Sequence, residues 1–164
     1  MRRVHLAERR SRRRLAKTRR ASRGSCDDIH IAAGCALAPG IYCALCCMKT
    51  EMPLTDRDIE ELESLGYDRS YFVDYSSGIP RLRNVGGSCV FLDTATGACK
   101  VYEHRPVGCR LYPVVADEEG RPHIDPYCPR PPRLDQKQLK ALETCLRSIL
   151  AELGWSVNSR RRAG

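Results

Sequence analysis

The sequence predicts an α+β fold: a small cysteine-rich domain with its cysteines carried on loops, short strands and a C-terminal amphipathic helix. Residues 135–153 repeat leucine at the spacing of one helix face. Residues 78–126 form short segments separated by turn residues. The 164 residues include 10 Cys but only 2 Phe and 1 Trp. Apolar burial alone would therefore give a thin core, and disulfides or a metal are expected to help hold the fold.

The first helix is predicted to begin after Leu54. Thr55 suits the N-cap, and Asp58 three residues later completes a capping box. The apolar residues that then share one face are Ile59, Leu62 and Leu65. Gly66 is expected to end this helix, because glycine readily adopts the left-handed conformation that follows a helix.

Two short helical segments and one long helix are predicted further along the chain. Asp68–Tyr75 is expected to form a short turn of helix with Tyr71 and Phe72 facing inward, and Pro106 to open a single turn that carries Cys109. The long helix covers 135–153, with Gly154 after it. Its apolar stripe consists of Leu139, Leu142, Leu146, Ile149, Leu150 and Leu153.

Short strands are predicted between these helices. Cys89–Leu92 and Cys99–Tyr102 are expected to pair around a turn at Asp93–Gly97. Tyr112–Ala116 and Pro122–Ile124 are expected to form a second hairpin. Residues 26–42 are small and turn-prone, which predicts an irregular segment before the first cysteine group.

Positive charge is concentrated at the two ends of the chain. Residues 1–24 contain ten Arg and one Lys against a single Glu, and three further Arg occupy 160–162. The middle, residues 25–158, is net acidic. We therefore expect a basic, disordered tail over 1–25, a cysteine-cluster domain over 26–155 and a basic tail over 156–164.

The basic N-terminal tail could contact RNA or another polyanion without reading its sequence, and such binding should weaken steeply with salt. The arginines best placed for this contact are Arg9, Arg10, Arg12, Arg13, Arg14, Arg19 and Arg20. The alternative is a solvated extension without a partner. A structural-zinc protein that binds RNA or the ribosome through this tail is accordingly one candidate function.

The chain has no apolar segment of the roughly 20 residues that a membrane span requires. The arginine-rich start is not followed by the apolar region of a secretory signal. These observations predict a cytoplasmic protein without membrane contact. In the reducing cytosol, clustered cysteines are more often metal ligands than disulfides.

The spacing of the cysteines is the main functional signal. Cys43, Cys46 and Cys47 offer three sulfurs within five residues, and nine residues separate Cys89, Cys99 and Cys109 from one another, with Cys128 beyond them. A C-x-x-C segment lets two thiolates meet one metal, and cysteines from distant loops complete the coordination. The adjacent pair Cys46 and Cys47 is strained as a disulfide, but its members can face different metals. Metal binding is thus favoured over a disulfide framework or simple buried thiols.

The other three cysteines are expected to differ from this group. Cys35 is close enough in sequence to the first group to serve as an extra ligand. Cys145 lies beside the leucine stripe of the last helix, which indicates a core thiol. Cys26 stands at the junction with the basic tail, and we expect it to be incidental.

An ordered string of motifs across roughly residues 40–130 resembles the YkgJ-like cysteine-cluster family, which is described as a zinc- or iron-chelating domain. The motifs are Cys43–Cys47, Leu54-Thr55-Asp56 with Asp58-Ile59, Cys89–Asp93, Cys99–Pro106 and Cys109–Pro113. The resemblance implies a metal site built from Cys43, Cys46, Cys47, Cys89, Cys99, Cys109 and Cys128. The chain departs from the family pattern at Gly40, where a further cysteine is usual, and at Ala44, where a glycine is usual. Either Cys35 replaces the missing thiol or the site is incomplete.

Arg105 and Arg110 bracket Cys109 and could offset the charge of −2 that four thiolates leave around Zn²⁺ or a [4Fe–4S]²⁺ core. A surface salt bridge with Glu103 is the alternative role for these arginines. His104, beside Arg105 and Pro106, is not expected to be a ligand.

The metal itself is predicted to be iron, in a [4Fe–4S] cluster, with zinc as the alternative. Thiolates suit both metals, but the six or seven clustered Cys exceed what one zinc needs. An iron–sulfur protein would act in redox chemistry or metal handling, with a redox partner protein. Whether the chain is an enzyme stays open, because the sequence contains no catalytic triad pattern, paired-carboxylate signal or phosphate loop.

Overall fold

The computed structural model describes Cys26, Ile29, Ile31 and residues 34–155. The predicted basic tails, 1–25 and 156–164, lie outside the described residues, and so do all the arginines proposed to contact RNA.

The described chain consists of short strands and helices. The strands are β1 (Ala36–Ala38), β2 (Ile41–Tyr42), β3 (Val73–Asp74), β4 (Arg81–Leu82), β5 (Asn84–Val85), β6 (Ser88–Cys89), β7 (Val114–Ala116) and β8 (Pro122–Ile124). The α-helices are α1 (Asp56–Ser64), α2 (Arg69–Phe72), α3 (Val107–Leu111) and α4 (Gln136–Glu152), and Leu45–Cys47 and Tyr102–His104 form 3₁₀ turns. The strands pair antiparallel as β1–β2, β3–β4, β5–β6 and β7–β8. The α+β prediction is confirmed.

Helix α1 forms as its capping signals predict. The Thr55 hydroxyl accepts a hydrogen bond from the Asp58 amide, and the Asp58 carboxylate accepts one from the Thr55 amide. Ile59 and Leu62 are buried, as expected. Leu65 was predicted to share their face, and this is wrong, because Leu65 is the C-cap beyond the last turn and is 41% exposed.

Helix α2 is shorter than the predicted segment Asp68–Tyr75. Asp68 caps it by accepting a hydrogen bond from the Ser70 amide. Phe72 is fully buried, as expected. Tyr71, however, is 42% exposed, so the prediction that both side chains face inward is wrong. Neighbouring residues of a helix point about 100° apart, so a four-residue helix buries only one of the two.

The turn predicted at Asp93–Gly97 is confirmed, since the Gly97 amide donates to the Asp93 carbonyl at 2.8 Å, but the predicted strands Cys89–Leu92 and Cys99–Tyr102 pair over a shorter stretch than expected. β6 pairs instead with β5 through a tight turn at Gly86 and Gly87, whose φ angles are +60° and +84°. The chain then turns away from β6, because the Leu92 amide donates to the Cys89 carbonyl. What remains of the predicted pairing is an isolated bridge between Leu92 and Cys99.

The elements predicted for the C-terminal half are confirmed, except that the strand predicted over Tyr112–Ala116 begins at Val114, because Tyr112 is the C-cap of α3. β7 and β8 form the expected hairpin, and α3 begins after Pro106 and carries Cys109. Asp135 forms a capping box with Gln138 at the start of α4. No helix in the described part of the chain is long and apolar enough to cross a membrane.

The described residues bury two hydrophobic cores. The first core lies among α1, α2, β3–β4 and residues 89–101. The second core lies among α3, β7–β8 and α4, where Leu142 and Leu146 of the predicted stripe are buried. Cys89 lies within the first core and Cys47, Cys99 and Cys109 pack against it, whereas the second core packs around α3, which carries Cys109.

Cys26 and Cys145 form a disulfide, which corrects the expectation that Cys26 is incidental and Cys145 a free thiol. The core position predicted for Cys145 is confirmed, since it is fully buried. Ile29 and Ile31 pack against the second core, and the Ile31 amide donates to the Arg110 carbonyl at 2.8 Å. These contacts lay Ile29 and Ile31 along the second core, to which Cys26 is joined by its disulfide with Cys145 of α4.

Candidate metal centre

Seven cysteines line one cavity of about 580 Å³. They are Cys35, Cys43, Cys46, Cys47, Cys89, Cys99 and Cys109. Six of the seven cysteines predicted to bind metal thus line the cavity, all except Cys128. Cys35, the possible extra ligand, lines it as well. Five separate chain segments contribute, which is typical of a thiolate site assembled by the fold.

The β1–β2 hairpin brings Cys35 to the first cysteine group. The Cys43 amide donates to the Cys35 carbonyl at 2.7 Å. The sequence did not predict this hairpin, because the side chains of both strands are exposed and show no alternation of buried and exposed positions. The 3₁₀ turn Leu45–Cys47 then places the sulfurs of Cys46 and Cys47 4.0 Å apart.

Gly97 lets the loop before Cys99 pack directly on β2. The Tyr42 amide donates to the Thr96 carbonyl at 2.8 Å. Gly97 has a φ of +76°, and a Cβ added there would collide with the Tyr42 carbonyl. Both Tyr42 and Gly97 line the cavity, and sequence reasoning identified neither as a site residue. In the sequence, Gly97 could be recognised only as part of a predicted turn, which does not indicate a role at the metal centre.

Cys109 is positioned by a contact between two helices. The Asp58 carboxylate, already part of the α1 capping box, also accepts a hydrogen bond of 2.8 Å from the Val107 amide at the start of α3. Burial raises the pKa of Asp58, and its hydrogen bonds from Thr55 and Val107 oppose that rise. The sequence predicted the cap but not this link.

Cys128 lies beside the cavity and is not one of its lining residues. Its amide donates to the Asp125 carbonyl at 3.1 Å, in the turn after β8. It is close enough to Cys35 to raise the pKa of that thiol, after the larger effects of burial, Cys46 and Cys43. Cys128 is therefore a neighbour of the group rather than part of its wall.

Most of the thiols on the cavity wall have raised pKa values in the absence of a cation. Burial is the largest cause of the raised pKa values of Cys89, Cys99 and Cys109. The hydrogen bond between Cys46 and Cys47 raises the pKa of Cys47 and lowers that of Cys46 to about 7. Several thiolates in one cavity would also repel one another, so a bound cation is what would let them all ionise.

Arg105 is the cationic residue on the cavity wall. Its guanidinium stacks 4.0 Å from the centroid of the Tyr102 ring, and its Nε donates to the Tyr102 carbonyl at 3.0 Å. Its charge lowers the pKa of Cys46, after the larger effect of the Cys47 hydrogen bond. Arg105 thus stands where a residue that offsets thiolate charge is needed.

Neither Arg110 nor His104 is among the residues that line the cavity. Arg110 interacts electrostatically with Asp58 and does not line the cavity. The Nδ1 atom of His104 lies 2.8 Å from a carboxylate oxygen of Glu61 at the surface. Among the described residues, the cavity is lined by no His, Asp or Glu side chain, so the cysteine sulfurs are its candidate metal ligands.

The described part of the chain contains no ready-made site for a single ion. Among residues 34–155, together with the three described residues before them, no three His, Cys, Asp or Glu side chains form a group that could hold a metal ion without moving. The softness and number of the sulfur donors nevertheless fit iron or zinc. A cluster of several metal atoms would span a wider set of thiols than one ion.

Comparison with known proteins identifies the family. A family model named CxxCxxCC, described as "Putative zinc- or iron-chelating domain", matches residues 39–129. An uncharacterized protein of Methanocaldococcus jannaschii is 35% identical over 80 residues, which covers 44% of this chain and 42% of that protein. The chain therefore matches less than half the length of this curated relative. No solved structure matches the chain. Because the model covers more than half of the sequence and the YkgJ-like family falls within it, the predicted resemblance is confirmed: the chain belongs to the CxxCxxCC family of zinc- or iron-chelating domains.

Proposed function

We propose that the protein binds iron through its clustered cysteines, as a [4Fe–4S] cluster, and acts in redox chemistry or metal handling. The observation that carries the proposal is the convergence of seven thiols on one cavity. Zinc sites often include His among their four ligands, but the cavity is lined by sulfur without imidazole. The residues that would hold the metal are Cys43, Cys46, Cys47, Cys89, Cys99, Cys109 and Cys128.

The surrounding residues suit a cluster that carries negative charge. Four thiolates around a [4Fe–4S]²⁺ core leave a net charge of −2, and the guanidinium of Arg105 lies on the same wall. Phe91 and Val101 also line the cavity, and both are buried apolar residues that limit access of water. When bound, such a cluster would supply one-electron transfer to a partner protein.

Anaerobic purification of the full chain, followed by metal analysis, acid-labile sulfide analysis and a visible spectrum, tests the proposal. We expect brown protein with about four iron atoms and four sulfides per cluster. Cys99→Ser should lose that iron, whereas Cys26→Ser, which removes a cysteine outside the cavity, should keep it. Colourless protein with zinc and no sulfide would overturn the iron–sulfur proposal.

A second candidate function is a structural-zinc protein that binds RNA or the ribosome through its N-terminal tail. The ten Arg and one Lys within residues 1–24 favour it. RNA binding by the full chain should then fall steeply as salt rises, and replacing Arg12, Arg13 and Arg14 by Gln should weaken it. Equal RNA binding by that variant and the wild type would argue against this function.

A further inference from the structure

The eight cysteines outside the disulfide divide into two sets by their packing. Cys89 is buried within the first core, and three further cysteines pack against that core from the cavity side. This core-side set is Cys47, Cys89, Cys99 and Cys109. The remaining four described cysteines, Cys35, Cys43, Cys46 and Cys128, pack against neither core. Packing thus separates the thiols four and four.

Backbone contacts hold the second set together at the rim of the cavity. The Cys35 carbonyl accepts from the Cys43 amide at 2.7 Å. The residues flanking Cys35 are tied to Arg130, two residues beyond Cys128: the Gly34 amide donates to the Arg130 carbonyl, and the Arg130 side chain donates to the Ala36 carbonyl, both at 3.3 Å. Three separate segments therefore meet around Cys35, Cys43 and Cys128.

The adjacent pair Cys46 and Cys47 belongs to both sets, one member to each. Cys47 packs against the first core, whereas Cys46 is exposed. Their sulfurs are 4.0 Å apart, close to the roughly 3.8 Å expected between thiolates 2.3 Å from a shared tetrahedral ion. Because Cys47 packs against the first core and Cys46 does not, the two members of the pair can also ligate two neighbouring metal centres, one each.

We propose that the chain holds two four-thiolate metal centres, a core-side centre on Cys47, Cys89, Cys99 and Cys109 and a rim centre on Cys35, Cys43, Cys46 and Cys128. Each would take a thiolate-binding metal, iron or zinc. The inference rests on the proposed function, because it assumes that the thiols ligate metal, and it goes further by dividing them and by making Cys35 a ligand. Since Cys46 is exposed, the rim metal should exchange with solvent more readily than the core-side metal.

Metal analysis of single Cys→Ser variants of the full chain tests the division. Cys35→Ser and Cys128→Ser should each lose the metal of one centre and keep the rest. Cys99→Ser and Cys109→Ser should each lose the metal of the core-side centre and keep that of the rim centre. The metal lost by a rim variant and the metal lost by a core-side variant should then add up to the metal content of the wild type. Cys26→Ser is the matched control and should keep both centres.

Release of metal from the wild type to a chelator gives a second readout that does not depend on how well the core-side variants fold. We expect two phases in the wild type and only the slow phase in Cys35→Ser. Loss of all the metal in both the rim and the core-side variants, or full retention of metal by Cys35→Ser, would overturn the division and leave the proposed function standing. Wild type without iron or zinc would overturn both.

Discussion

The Oδ1 atom of Asp58 accepts a hydrogen bond of 2.8 Å from the backbone amide of Val107. The other carboxylate oxygen closes the capping box of α1 with Thr55. One buried carboxylate therefore joins the start of α1 to the start of α3, two residues before Cys109. The placement of that cysteine depends on a residue 51 positions earlier in the chain.

Asp58→Ala should lower the free energy of unfolding by about 3 kcal/mol, because it removes a helix cap and leaves buried donors on Thr55 and Val107 without an acceptor. Chemical denaturation followed by circular dichroism measures the change. Asp68→Ala is the matched control: Asp68 caps only α2 and is exposed, so about 1 kcal/mol is expected. Equal losses in the two variants would show that the link to α3 contributes nothing.

Gly97→Ala should destabilise the protein by about 2 kcal/mol more than Gly78→Ala. Both glycines have positive φ angles, +76° and +84°, so both variants carry the same backbone strain. An added Cβ collides with the Tyr42 carbonyl only at Gly97, since Gly78 has open space around it. The difference between the melting temperatures of the two variants measures the destabilisation caused by the clash with the Tyr42 carbonyl. Equal melting temperatures would contradict this prediction.

Metal affinity should rise with pH. The pKa values of Cys89, Cys99 and Cys109 are raised by burial and that of Cys47 chiefly by its hydrogen bond to Cys46, so these thiols are protonated in the metal-free protein at pH 7. Metal binding must then release about four protons from the core-side set, and affinity should increase roughly tenfold per pH unit for each proton released. Calorimetric titration with zinc in buffers of different ionisation enthalpy counts the protons. A release near zero would mean that the thiols are already ionised.

Arg105→Gln should slow alkylation of Cys46 in the metal-free protein. The pKa of Cys46 lies at about 7 because of its hydrogen bond with Cys47 and, to a smaller extent, the charge of Arg105. Removing that charge should move the pH midpoint of alkylation upward, as measured by iodoacetamide labelling and peptide mass spectrometry. Arg105→Lys keeps the positive charge, so its pH midpoint of alkylation should stay close to that of the wild type. Arg121→Gln is the control, because Arg121 pairs with Asp117 and Glu119 at the surface.

The disulfide predicts a definite thiol count. Metal-free, denatured, unreduced protein should contain eight titratable thiols, and reduction should raise the number to ten. Cys26→Ser should lower the stability of the oxidised protein by about 3 kcal/mol, because it frees the denatured chain from a long closed loop. Ten thiols without reduction would show that Cys26 and Cys145 are not linked.

The sequence predicted best those features that depend on local signals. The capping box at Thr55 and Asp58 and the long helix α4 are encoded within a few residues of each boundary. Convergence of the cysteines also followed from their spacing, because C-x-x-C and regularly spaced thiols have few other uses.

The features that the sequence did not predict depend on distant contacts. The β1–β2 hairpin has no alternating apolar pattern, and it is defined by contacts such as the bond from the Tyr42 amide to the Thr96 carbonyl. The partners in the disulfide are 119 residues apart, and what joins them is the packing of Ile29 and Ile31 on the second core. No local pattern reports such contacts.

The disulfide also makes the domain a covalent ring. All eight free cysteines lie between Cys26 and Cys145 in sequence, so each belongs to the closed loop. A single protease cut anywhere between those two residues opens the ring without separating the fragments. The thiols therefore stay tethered to one another after a nick, and the cleaved protein should keep its full mass until a reductant is added.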